Sequence, residues 1–208
     1  MQILVIRNDF IKAVFLDYGA ILHELWVTSA SGQTINVIKG LANPEDYRED
    51  EWWRGALIGR FAGRLSESYS IDGTIFHLYH TDGVLLHSGD KGWGKQFWKL
   101  EHHNQKELTL SHICQARNSG FPGTVKGQIT YKLNGKKLHL EYKATTNVNA
   151  GKASAASNGS SKRFIQEILH EIVQNIIPIN NSPIFFGFFI HSSKLFSVFL
   201  PNRGVILI

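Results

Sequence analysis

The chain has 208 residues, 43% of them hydrophobic and 19% charged, so it can bury a core and is not a disordered segment. Its 22 Lys and Arg against 17 Asp and Glu leave a net charge of +5, but no basic stripe interleaves with aromatics, which argues against nucleic acid as a partner. A single cysteine, Cys114, excludes an intrachain disulfide framework and any multi-cysteine metal cluster.

Residues 1–7 lack a basic stretch, a long apolar run and a small-residue cleavage site, so no signal peptide is read and a cytoplasmic location is expected. Residues 3–6 and 13–16 read as short strands, closed by Asn8-Asp9 and Tyr18-Gly19. A third run, 21–27, ends at the turn residues 29–32. Residues 69–71, Asp72-Gly73 and 74–76 carry a hairpin signal, because Asp-Gly supplies the positive φ angles of a type I′ turn. Residues 128–133, Asn134-Gly135 and 136–142 repeat it, with polar and apolar residues alternating on both arms. Two hairpins among short strands predict an antiparallel β-sandwich or barrel.

The composition breaks near residue 150. All five Trp and all six Tyr precede residue 143, while the last 58 residues hold seven of the thirteen Phe. Residues 150–161 are small and linker-like. Phe164, Ile165, Ile168, Leu169, Ile172, Val173, Ile176 and Ile177 then recur at helical spacing up to Pro178. The apolar runs 184–190 and 195–200 fall short of the ~20 residues a membrane span needs. They read as a buried strand pair or as a lipid-surface segment.

Four stretches could carry chemistry. Residues 59–65 bring Arg60 and Arg64 close to Gly59 and Gly63, where Gly admits a ligand to the backbone and Arg offers forked donors. The alternative is two arginines on a surface turn. In residues 84–94, His87 ends an apolar run and enters a Gly-rich loop with Ser88, Asp90 and Trp93. Imidazole exchanges protons or hydrogen bonds near neutral pH, and a flat Trp face stacks on sugar-like C–H surfaces. The alternative is a satisfied polar group. Gly120-Phe121-Pro122-Gly123 reads first as turn chemistry. Residues 43–53 carry five acids with Tyr47, Trp52 and Trp53, a pocket lining or, more ordinarily, a solvated loop. His77, His80, His102 and His103 lack neighbours at ligand spacing and read as surface groups, so no metal is expected. Dinucleotide, phosphate-loop and serine-elbow motifs are absent.

In order along the chain, Gly19-Ala20, Gly59-Arg60-Phe61-Ala62-Gly63-Arg64, Ile71-Asp72-Gly73, Leu86-His87-Ser88-Gly89, Gly92-Trp93-Gly94, Phe97-Trp98, Gly120-Phe121-Pro122-Gly123 and Ala144-Thr145-Thr146 resemble the aldose 1-epimerase (galactose mutarotase) family. The likeness covers about 1–149. It departs where the family's Asn-Arg reads Gly63-Arg64 and its Leu-His-Gly-Gly reads Leu86-His87-Ser88-Gly89. The resemblance implies a large antiparallel β-supersandwich and interconversion of α and β anomers of free hexoses without a cofactor. It implies that Gly63, Arg64, His87 and Ser88 bind the sugar, His87 in a supporting rather than an acid–base role. The family's acid, a His in a Thr-Asn-His motif, and its base, a Glu, are unmatched, since Thr146 is followed by Asn147-Val148-Asn149. The reading is therefore a partial sandwich over 1–149, a linker-like 150–161 and an atypical tail over 162–208. Impaired catalysis is expected, with a non-catalytic carbohydrate-binding or regulatory module as the alternative. An unfinished sandwich also invites self-association through an uncovered sheet.

Overall fold

Apolar residues at every second position fold the first 36 residues into an antiparallel meander in the computed structural model, which describes residues 1–29, 31–71, 74–80, 83–146, 197–200 and 204–207. Strands β1 (Ile3–Arg7), β2 (Ile11–Leu16), β3 (Leu22–Thr28) and β4 (Thr34–Asn36) lie side by side in chain order. Asn8 closes the first hairpin: its side-chain oxygen accepts the N–H groups of Phe10 and Ile11, each at 2.9 Å. Leu4 and Ile6 of β1 point inward, and β2 buries Ile11, Ala13 and Phe15. A bulge between Val14 and Phe15 lets Leu16 be buried as well.

The middle of the chain holds little strand. It contains β5 (Arg64–Leu65), β6 (Ser68–Ile71), β7 (Thr74–His77) and β8 (Leu85–Leu86). β6 and β7 form the first expected hairpin, with Ile71 opposite Thr74; its turn residues, Asp72 and Gly73, lie outside the described residues. β5 pairs with β8 across 19 intervening residues.

A second four-stranded antiparallel sheet follows: β9 (Lys99–His103), β10 (Glu107–Cys114), β11 (Val125–Asn134) and β12 (Lys137–Thr146), again with sequence neighbours paired. β11 alternates regularly, burying Gly127, Ile129, Tyr131 and Leu133. Its hairpin with β12 differs from expectation by one residue. Asn134 pairs with Lys137, so the central turn residues are Gly135-Lys136 rather than Asn134-Gly135. Gly135 has φ +54°, and a positive φ at the first central position is the glycine preference of a II′-type hairpin.

The two sheets share one core. The Phe15 and Tyr131 rings lie 4.2 Å apart, and the Tyr131 hydroxyl donates to the Ala20 carbonyl at 2.9 Å. Burial pushes that phenol well above its usual range. Leu108, Leu110, Ile129 and Leu138 complete the interior, each such side chain contributing about 1.5–3 kcal/mol on burial. Asn8 donates to the Gly135 carbonyl at 2.7 Å, so the two hairpin tips are tied.

Near the C-terminus, β13 (Ser197–Leu200) and β14 (Gly204–Leu207) pair with each other, in a sheet separate from the two larger ones. The described partner of 197–200 is thus 204–207. The run 184–190, the helix expected over 164–177 and the linker-like 150–161 lie outside the described residues. No helix among the described residues is long and apolar enough to cross a membrane.

Candidate functional site

The short β5–β8 ladder brings residues 63 and 87 together from opposite ends of a 24-residue separation. Arg64 pairs with Leu86, and one step along, the His87 N–H donates to the Gly63 carbonyl at 2.9 Å. The Gly63 N–H answers by donating to Nδ1 of His87 at 3.1 Å. An accepting Nδ1 carries no proton, so the neutral ring holds its hydrogen on Nε2. Gly63 sits at φ +103°, a conformation that a side chain would strain.

His87, Ser88 and Gly89 adopt φ of +50°, +68° and +65°, three left-handed residues in a row. Non-glycine residues there cost about 1–3 kcal/mol each and persist only where their surroundings over-determine them. Those surroundings are visible. The buried Ser88 hydroxyl accepts the Phe61 N–H at 2.9 Å and lies 3.3 Å from the Phe61 carbonyl, to which it donates. Ser119 donates its hydroxyl to the Ser88 carbonyl at 2.5 Å. All four expected residues, Gly63, Arg64, His87 and Ser88, are therefore neighbours. In a regular ladder Arg64 and His87 would face opposite ways. His87 itself has φ +50°, outside the extended range on which that alternation rests. Arg64 is exposed, and no ion pair engages its guanidinium among the described residues.

Other expectations are corrected. Trp93 is not a stacking face: it is 4% exposed and wedged into the core. A Cβ at Gly59 would collide with its ring, and one at Gly127 would lie 2.8 Å from it. Arg60 is buried too, and its guanidinium donates to the carbonyls of Pro122 and Gly123, so the 120–123 turn is an anchor for residues 59–64. The acidic stretch is only partly a solvated loop. Tyr47 and Asp50 are buried, and the Asp50 carboxylate accepts the Arg54 N–H at 2.9 Å and its guanidinium at 2.6 Å. His80 accepts the Gly83 N–H through Nδ1, and His102 and His103 are engaged by Asn104 and the Val5 carbonyl. Among the described residues no three His, Cys, Asp or Glu side chains group as metal ligands.

The aromatic beside the imidazole is Trp53, its ring 5.2 Å from that of His87 at an interplanar angle of 72°. Sequence reasoning placed that role on Trp93, which shares a loop with His87. The cue to the exchange was the pair Gly59 and Gly127, whose missing side chains make room for Trp93 inside.

The sequence model of the aldose 1-epimerase family matches residues 2–156. An aldose 1-epimerase from Escherichia coli K12 is 30% identical over 148 residues, covering 69% of this chain and 43% of that protein. A galactose mutarotase from Pongo abelii is 27% identical over 188 residues, covering 86% and 54%. Among solved structures, an aldose epimerase homologue from C. elegans superposes with a TM-score of 0.66 at 24% identity, over 71% of this chain and 46% of that one. At that identity the likeness speaks to the fold, a galactose mutarotase-like β-sandwich. The chain spans about half the length of the curated relatives it matches.

Proposed function

The chain belongs to the aldose 1-epimerase family, and from that premise we propose that its β5–β8 corner binds a free aldohexose. The observation that carries this reading is the Gly63 N–H on His87 Nδ1, beside an exposed Arg64. With Nδ1 accepting, the neutral ring keeps its proton on Nε2, so His87 meets the sugar as a neutral polar group and not as the acid–base residue. Arg64 supplies a fork of donors to vicinal hydroxyls. Ser88 holds the left-handed backbone on which His87 rests rather than reaching the sugar, because both of its polar functions are spent on residues 61 and 119.

Anomer interconversion needs a base for the anomeric hydroxyl and an acid for the ring oxygen. The ring opens, the aldehyde rotates and the ring recloses on its other face. Neither group has a match in residues 1–208. Their loss costs about 10²–10⁴-fold each. Our reading is therefore a chain that binds hexose and turns it over poorly, organised as a partial sandwich over 1–149, a linker-like 150–161 and an atypical tail over 162–208. An intact Arg64–His87 pair without a proton-transfer pair equally supports a non-catalytic carbohydrate-binding module. The test joins polarimetry of freshly dissolved glucose or galactose to a titration of the His87 ring resonances with the same sugars. Sugar-dependent shifts of the His87 ring, lost in Arg64→Ala, with anomer exchange near the uncatalysed rate, are expected. Fast exchange overturns the impaired reading, and unmoved His87 resonances overturn the site.

A further inference from the structure

We propose that Trp53 is a positioning residue of this site: it holds the His87 imidazole in the orientation in which Nδ1 accepts the Gly63 N–H. The inference rests on the sugar-site reading of His87, but its structural basis is independent of any ligand.

An imidazole hydrogen-bonded through one nitrogen can still rock about that bond. Gly63 supplies the bond at 3.1 Å, and Trp53 supplies the wall, an edge-to-face contact at 5.2 Å. These restraints come from different segments of the chain. Trp53 is itself over-determined. It has φ +50°, a left-handed conformation in a bulky residue, as His87 has. Gly94 makes room for it, since a Cβ there would lie 2.8 Å from its Cδ1. The Lys95 ammonium sits 5.3 Å from its ring centre and donates to the Asp50 carbonyl at 2.6 Å, so a cation tethered to its own loop covers the indole. Its flank packs against both main clusters of buried residues.

The Trp53 Nε1 is buried with no acceptor among the described residues, a cost that phenylalanine avoids, so Trp53→Phe keeps the ring wall without that cost. Left-handed strain beside the histidine it contacts is the pattern of a side chain retained for what it orients.

The experiment compares the full chain with Trp53→Phe and Trp53→Leu. Nitrogen-15 resonances of the His87 ring report its tautomer, and glucose and galactose titrations report affinity. In the native chain and in Trp53→Phe the Nε2–H tautomer dominates. In Trp53→Leu the ring becomes a tautomer mixture and sugar affinity falls about fivefold, as loss of one aromatic pair predicts. Thermal unfolding is monitored alongside, and Trp53→Phe separates lost orientation from lost volume. A Trp53→Leu chain that keeps the native tautomer overturns the proposal. If no chain binds sugar, the function proposed above fails, while the tautomer comparison still decides the role of Trp53.

Discussion

The two four-stranded sheets and the segment between them hold their shape by different means. In the sheets, long ladders satisfy the backbone, as in the ten paired positions of β11 and β12, and β11 buries every second side chain. Among the described residues of 37–98 the strands are the short β5 to β8, and there Trp53, His87 and Ser88 take left-handed backbone. Side chains replace ladders in that segment: Asp50, Arg60, Ser88 and His87 bond to backbone groups that strands would otherwise satisfy. The difference places most of the stability in the sheets, and the proposed sugar site in the segment between them.

Substitutions sharpen that contrast. Phe15→Ala removes a fully buried ring at the contact between sheets, and stability falls by about 3–5 kcal/mol in urea unfolding. The His87 tautomer of the molecules that remain folded is unchanged. Gly59→Ala probes the seam between regions, because its Cβ collides with Trp93. A loss of about 1–3 kcal/mol is expected, together with altered Trp fluorescence. A neutral result would mean that Trp93 can shift and does not bind the segment to the core. Ser88→Ala strips the buried acceptor from the Phe61 N–H and costs about 1–3 kcal/mol. Its signature lies in the site: His87 resonances broaden and sugar affinity drops more than for any sheet variant of equal stability. Equal effects on site and sheets would break the comparison.

The smallest effect is a pH dependence. Burial holds the His23 imidazole below its usual range, while Glu24 opposes that shift. His23 belongs to β3, and its Nδ1 lies 3.1 Å from the Tyr47 hydroxyl of the intervening segment. The unfolded chain takes up this proton near pH 6.5 and the folded chain only at lower pH. Its contribution is therefore complete above about pH 6.5 and declines as pH falls toward the folded value. Burial lowers His112 and His139 as well, so the slope is shared. Unfolding midpoints compared between about pH 7.5 and 5.5 should fall less in His23→Gln than in the native chain.

Alternation and turn chemistry in residues 1–28 and 125–146 were enough to read strands and hairpins, because a half-buried antiparallel strand writes its pleat into every second residue. The ordered motifs made the family legible, and with it the corner where Gly63, Arg64, His87 and Ser88 lie together. Strands β9 and β10 escaped notice: β9 is exposed throughout, and β10 buries four consecutive residues, so neither alternates. The exchange of roles between Trp93 and Trp53 was beyond any local pattern. Both tryptophans neighbour glycines and charges in sequence. Which one enters the core depends on Gly59 and Gly127, 68 residues apart, meeting across the closed sandwich. Burial is a property of the assembled sheets, and the identity of the ring beside His87 is decided only when they close.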